Sequence, residues 1–160
     1  MFELPRRLCS HSPRDEQVEL HVVEDVSEKG FGVVCHARYV FPDGRIEVAF
    51  VMSKTRVAPL RQLSIPRVEL QAALLAVRLA DTVKRELTLC ISKTVFWSDS
   101  KTVLLSIANE SRRFHTFVAN RVAEIQDSTC PAQWRFVPGR LNPADDCTRG
   151  LRASEMTSNC

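Results

Sequence analysis

At Ser64-Ile65-Pro66 the apolar spacing of this chain changes from period two to period 3.6, and that switch limits its fold more than any other feature. Downstream, Val68, Ala72, Leu75, Leu79 and Val83 form one stripe at helical spacing, and Glu69, Ala73, Ala76 and Ala80 form a second line beside it. Pro66 suits a first helical turn, where its missing N–H costs nothing. The pattern predicts a helix from 66 to about 87. Its three alanines allow close approach to a sheet, and the same line carries an acid, Glu69, near the helix start.

Upstream, the segment from Val18 to Met52 reads as three strands. Phe41-Pro42-Asp43-Gly44 is a turn signal. After it Ile46, Val48, Phe50 and Met52 alternate with Arg45, Glu47, Ala49 and Val51, as in an antiparallel meander with a 31–40 strand. Residues 53–65 read as a basic connector with Lys54, Arg56 and Arg61. Beyond the long helix, Thr94–Ser98 reads as a strand and Ser100 as the cap of a helix over 101–108. Another helix is expected over 114–126, a strand over Gln133–Val137, and a final helical turn after Asn142-Pro143. The order β-β-β-α-β-α-α-β-α predicts an α/β fold: a five-stranded mixed sheet, antiparallel then parallel, flanked by helices. The long helix supplies the crossover that a parallel addition requires. Residues 1–17, punctuated by Pro5, Ser10, Ser12 and Pro13, read as a linker or tail, 18–151 as one domain, and 152–160 as a short C-terminal tail.

With 160 residues, 44% of them hydrophobic and 26% charged, the chain can bury one ordinary core. No apolar run reaches the length of a membrane span and the start lacks an apolar signal core, so a soluble intracellular protein is expected. The six cysteines include no Cys-x-x-Cys pair and suit reduced thiols better than a zinc site or a disulfide framework; Cys9-Ser10-His11 has no partner pair nearby. Net charge is only +3, but 17 of the 22 basic residues are arginine, whose planar fork matches phosphate.

Four acids stand where acids are usually unwelcome. Asp25 ends a largely apolar run, Glu69 lies at the start of the long helix, Asp99 follows the strand Thr94–Ser98, and Asp145 opens the last helical turn. If the first and fourth strands are neighbours, Asp25 and Asp99 lie side by side, with Glu69 and Asp145 able to close on them. Such acids repel unless cations lie between them, and paired divalent ions serve phosphodiester cleavage. Each acid also has an ordinary structural explanation, as a solvated strand end, a helix-dipole acid or a cap.

The chain resembles the ribonuclease H domain of BEL/Pao-type retrotransposon polyproteins. The resemblance rests on Leu20-His21-Val22-Val23-Glu24-Asp25-Val26-Ser27-Glu28-Lys29-Gly30-Phe31-Gly32, Ser53-Lys54-Thr55-Arg56-Val57-Ala58-Pro59, Ser64-Ile65-Pro66-Arg67-Val68-Glu69-Leu70, Trp97-Ser98-Asp99-Ser100, Phe117-Val118-Ala119-Asn120-Arg121-Val122-Ala123-Glu124-Ile125-Gln126 and Asn142-Pro143-Ala144-Asp145, over about residues 18–151. It implies a ribonuclease H-like fold and hydrolysis of the RNA strand of RNA–DNA hybrids with two Mg²⁺ ions, or Mn²⁺ in their place. Asp25, Glu69, Asp99 and Asp145 become the catalytic, metal-binding acids. It also implies a reverse transcriptase region upstream and an integrase region downstream as partners, so the chain is expected to be a polyprotein fragment. Glu24 and Val26 depart from the smaller or uncharged neighbours that the family more often places around the first Asp. Many ribonucleases H also carry a helper His before the last acid; here the last His is His115, and Arg140 is the nearest basic residue before Asp145.

Lys54, Arg56 and Arg67, near the start of the long helix, and Arg112 and Arg113, between two helices, are the candidate phosphate contacts. Two other readings stay open. An integrase or transposase core shares the fold, but its acids run Asp, Asp, Glu, whereas here the order is Asp, Glu, Asp, Asp. A catalytically inactive nucleic-acid-binding or spacer module is the second.

Overall fold

The computed structural model describes residues 17–58, 64–109, 115–145 and 148. Strands β1 (Gln17–Val26), β2 (Gly30–Val40) and β3 (Ile46–Val57) form an antiparallel meander. Helix α1 (Ile65–Glu86) crosses to β4 (Ile91–Ser98), which pairs parallel to β1. Helices α2 (Lys101–Ala108) and α3 (Thr116–Ser128) lead to β5 (Trp134–Phe136), parallel to β4. The sheet order is β3-β2-β1-β4-β5, the expected five-stranded mixed sheet.

Period-two alternation on β1 sends Leu20 and Val22 to the face covered by α1. There they meet Phe31, Val33 and Cys35 of β2 and Phe96 of β4. The alanine line of α1 does what its small side chains permit: Ala73, Ala76 and Ala80 are all buried in that core. The second face carries only a small cluster of Val23, Val34, Val137 and Ala144, with Trp97 against it.

One expectation is corrected. Residues 53–57 are not connector but the second half of β3. Ser53-Lys54-Thr55-Arg56-Val57 is polar because this is an exposed edge strand, and its backbone still pairs with β2 from Val34 to Gly30. Gly30 is needed there: a Cβ on it would stand 2.5 Å from the Arg56 carbonyl oxygen. The final helical turn follows Asn142-Pro143, as expected. A 3₁₀ turn at Gly139–Leu141 precedes it, Pro143 and Ala144 form a turn, and helical structure begins at Asp145. The Ser100 cap is as expected, its hydroxyl accepting from the Val103 amide.

Candidate active site

Asp25 lies one residue from the end of β1, and Asp99 follows the last residue of β4. Because β1 and β4 run parallel as neighbours, both acids reach the same edge of the sheet. Glu69 joins them from the second turn of α1. Its carboxylate accepts a hydrogen bond from the Ser100 hydroxyl at 2.8 Å, which ties α1 to the start of α2. Asp145 arrives from the C-terminal turn. Asp99 is the hub: partial burial raises its proton affinity, its own backbone amide draws it down, and the negative charges of Glu69 and Asp145 raise it further.

Asp25 is buried and held from the second face of the sheet. Asn142 Nδ2 donates to its Oδ1 at 3.1 Å and to the Glu24 carbonyl at 2.9 Å, and the Thr148 hydroxyl donates to its Oδ2. These partners lie 117 and 123 residues away in sequence. The C-terminal turn therefore fixes the rotamer of an acid on the first strand.

Glu24 was not among the candidate residues, and it is the most buried acid of the site, 1% exposed. Alternation places it after Leu20 and Val22 on the helix-covered face. Neither of its carboxyl oxygens makes a hydrogen bond of good geometry. Burial pushes its pKa up to about 8; the Ser98 hydroxyl beside it moderates the shift, and the charges of Asp99, Asp25 and Glu69 add to it. The strict period of β1 was the signal for it, since residues 20, 22 and 24 share a face.

The four expected acids are all oxygen donors, the hard ligand type that Mg²⁺ and Mn²⁺ take. The charges of Glu69 and Asp145, which add to burial in raising the proton affinity of Asp99, are what a divalent cation would offset. The donor set therefore fits such an ion in its chemistry. Among the described residues, however, no three His, Cys, Asp or Glu side chains are gathered closely enough to form a ready-made metal cage.

Of the candidate phosphate contacts, Lys54 and Arg56 are exposed on β3 rather than in a connector, and Arg67 is half-buried in the first turn of α1. Arg61, Arg112 and Arg113 lie outside the described residues. Cys35 is buried, its thiol pushed up to about 12, and Cys90 and Cys130 are exposed and free. Among the described residues no helix is long and apolar enough to cross a membrane.

Solved structures that match this fold include ribonucleases H. Ribonuclease H1 of the halophilic archaeon Halobacterium salinarum NRC-1 is 13% identical, with a TM-score of 0.51 over 90% of this chain and 99% of that one. The N-terminal ribonuclease H domain of rv2228c from Mycobacterium tuberculosis, solved as a maltose-binding-protein fusion, is 14% identical, with a TM-score of 0.50 over 91% and 100%. LC11-RNase H1, solved in complex with an RNA/DNA hybrid, is 10% identical, with a TM-score of 0.50 over 81% and 92%. At these identities the likeness establishes a shared fold. No curated protein matches the sequence. The family model of the Pao retrotransposon-like RNaseH-like domain matches residues 1–100. With the strand order and the helix crossover in agreement, the chain belongs to the Pao retrotransposon-like RNaseH-like domain family.

Proposed function

We propose that this domain is a ribonuclease H-type endonuclease that hydrolyses the RNA strand of RNA–DNA hybrids, leaving 5′-phosphate and 3′-hydroxyl ends. The observation that carries the reading is the charge coupling of Glu69 and Asp145 to Asp99 at the edge where Asp25 also ends, in a chain of this family. Asp25, Glu69, Asp99 and Asp145 would hold the Mg²⁺ ions, or Mn²⁺ in their place. When bound, such ions supply an activated water and neutralise charge on the phosphoryl oxygens. The side chains around the acids orient them. Ser100 holds Glu69, and Asn142 and Thr148 hold Asp25. Removing such supporting donors from a metal ligand typically costs about 10–100-fold in metal affinity or activity. Lys54, Arg56, Arg67, Arg112 and Arg113 would contact backbone phosphates without reading sequence, as suits a duplex recognised by shape and 2′-hydroxyls. Reverse transcriptase and integrase regions of a parent polyprotein are the proposed protein partners.

Cleavage of an end-labelled hybrid tests the reading. Asp99→Asn removes the hub carboxylate, and its rate should fall by more than the roughly 100-fold ceiling for a supporting residue. Added Mg²⁺ should raise the melting temperature of the parent and less so of Asp99→Asn. Equal rates for the two proteins, or no cleavage by either, would remove the nuclease proposal. One observation favours the inactive nucleic-acid-binding or spacer module instead: the extra buried carboxyl of Glu24, coupled by charge to Asp25, Glu69 and Asp99. That reading predicts hybrid binding without metal-dependent cleavage.

A further inference from the structure

A groove of about 470 Å³ runs between the end of β3, the middle of α1 and the outer face of α3. Its polar lining is Arg56, Gln71, Arg78, Asn120, Arg121 and Glu124, over an apolar floor that includes Phe31 and Leu75. Three guanidinium groups thus face one carboxylate. Arg78 takes that carboxylate, its Nε donating at 2.8 Å and its second terminal nitrogen lying 2.7 Å from the same oxygen. The same carboxylate also acts through charge on Arg121, so the lining keeps an excess of positive charge.

Arg121 is the unusual member. Its guanidinium lies over the Phe117 ring, 3.5 Å from the centroid, and one terminal nitrogen donates to the Phe117 carbonyl at 3.0 Å. Arg67 of α1 approaches the same ring at 5.2 Å. Arg121 Nε is buried and has no hydrogen-bond partner. Desolvation and the neighbouring Arg78 charge both work against the Arg121 cation, and Glu124 offsets them only in part.

Position adds a second argument. Asp25 pairs with Gly32 on β2, and Gly32 pairs with Thr55 on β3. Arg56 therefore stands about two strand spacings, roughly 10 Å, from the line of the acids, at the same end of the sheet. Arg56 pairs with Phe31, so its side chain is on the helix-covered face.

We propose that this groove is a backbone-phosphate site for the nucleic-acid duplex, with Arg56, Arg78 and Arg121 as its cations and Gln71 and Asn120 as neutral donors. It deepens the proposed function and rests on its hybrid-binding part. The groove anchors the duplex beside the acids rather than on them, so it contributes to binding and register and not to the chemical step.

The test is fluorescence anisotropy of a labelled RNA–DNA hybrid across a salt series in EDTA, so that no cleavage occurs. Each phosphate contact removed should lower the slope of log K against log salt by about 0.7–0.9. Arg56→Gln, on an exposed edge strand, should lower it by about one contact. Arg56→Gln with Arg121→Gln should lower it by about two contacts and weaken binding about tenfold or more at low salt. Arg85→Gln carries the same change of charge at the far end of α1, where Arg85 is exposed beside Glu86, and should leave the slope unchanged. A double variant that melts like the parent and matches Arg85→Gln in slope and affinity overturns the groove, even if cleavage in Mg²⁺ is intact. A parent that binds the hybrid but never cleaves it removes the nuclease reading alone; the slopes then still decide the groove. A parent that does not bind the hybrid removes both.

Discussion

The two faces of the sheet treat neighbouring acids on one strand in opposite ways. On the helix-covered face Glu24 is buried, and the Ser98 hydroxyl beside it offsets little of the cost. On the second face Asp25, equally enclosed, receives Asn142 and Thr148. One residue of strand reverses the environment because successive side chains leave a sheet on opposite sides. Burial alone thus does not decide whether a carboxylate is met by well-placed donors. The helix-covered face stores an unfavourable group at the edge of its core, while the C-terminal turn on the other face supplies donors.

The largest effect should come from breaking that contrast at Glu24. Its pKa stands at about 8 in the folded protein against 4.5 as the ordinary value. Between those values the folded chain keeps a proton that the unfolded chain releases, so ionisation favours unfolding. The contribution of Glu24 to stability is full below about pH 4.5, is lost as pH rises through 4.5 to 8, and is flat above. Glu24→Gln should therefore change little near pH 4.5 and stabilise by about 3–5 kcal/mol above pH 8. Urea denaturation of both proteins at several pH values reads this directly. Parallel pH profiles would mean that Glu24 is not enclosed as described. Because Asp25, Glu69 and Asp99 all face Glu24 through charge, the profile should be taken without divalent ions.

Next in size is a challenge to the close approach of α1. Ala76 is buried under the helix, where Ala73 and Ala80 share its line. Ala76→Leu should cost about 1–3 kcal/mol through overpacking. It should also disturb the hydrogen bond from Ser100 to Glu69, which depends on where α1 rests. A melting temperature unchanged from the parent would show that the helix stands further from the sheet.

That helix and its alanine line were legible from spacing alone, because a 22-residue amphipathic element carries its own period. The Ser100 cap was legible for the same local reason. The meeting of the acids could be stated only on the condition that β1 and β4 are neighbours, a pairing that joins residues about 74 apart. Three features were not legible. The second half of β3 looks like a connector because an exposed edge strand needs no apolar side chains to pair its backbone. Asn142 and Thr148 give no local sign that they serve Asp25, since a side-chain bond across more than a hundred residues leaves no periodicity. Arg121 falls four residues after Phe117, which helical spacing can suggest, but the approach of Arg67 to the same ring depends on how α1 and α3 pack.

The smallest effect should appear on the second face, away from the acids. Ile46, Val48 and Phe50 alternate along β3 as a half-buried strand would, yet they are 50%, 62% and 49% exposed. The bulge between Cys35 and His36 and the edge position leave this row uncovered, while Ala49 and Val51 on the other side of the strand pack inward. Phe50 and the His36 ring meet edge to face, at 6.0 Å between centroids. Phe50→Ser should therefore move stability by no more than about 0.5 kcal/mol, against the 1–3 kcal/mol expected for one added side chain beneath α1. A loss of 2 kcal/mol or more at Phe50 in the isolated domain would mean that the row is covered in solution, and the contrast between the two faces would then describe this chain without whatever covers it.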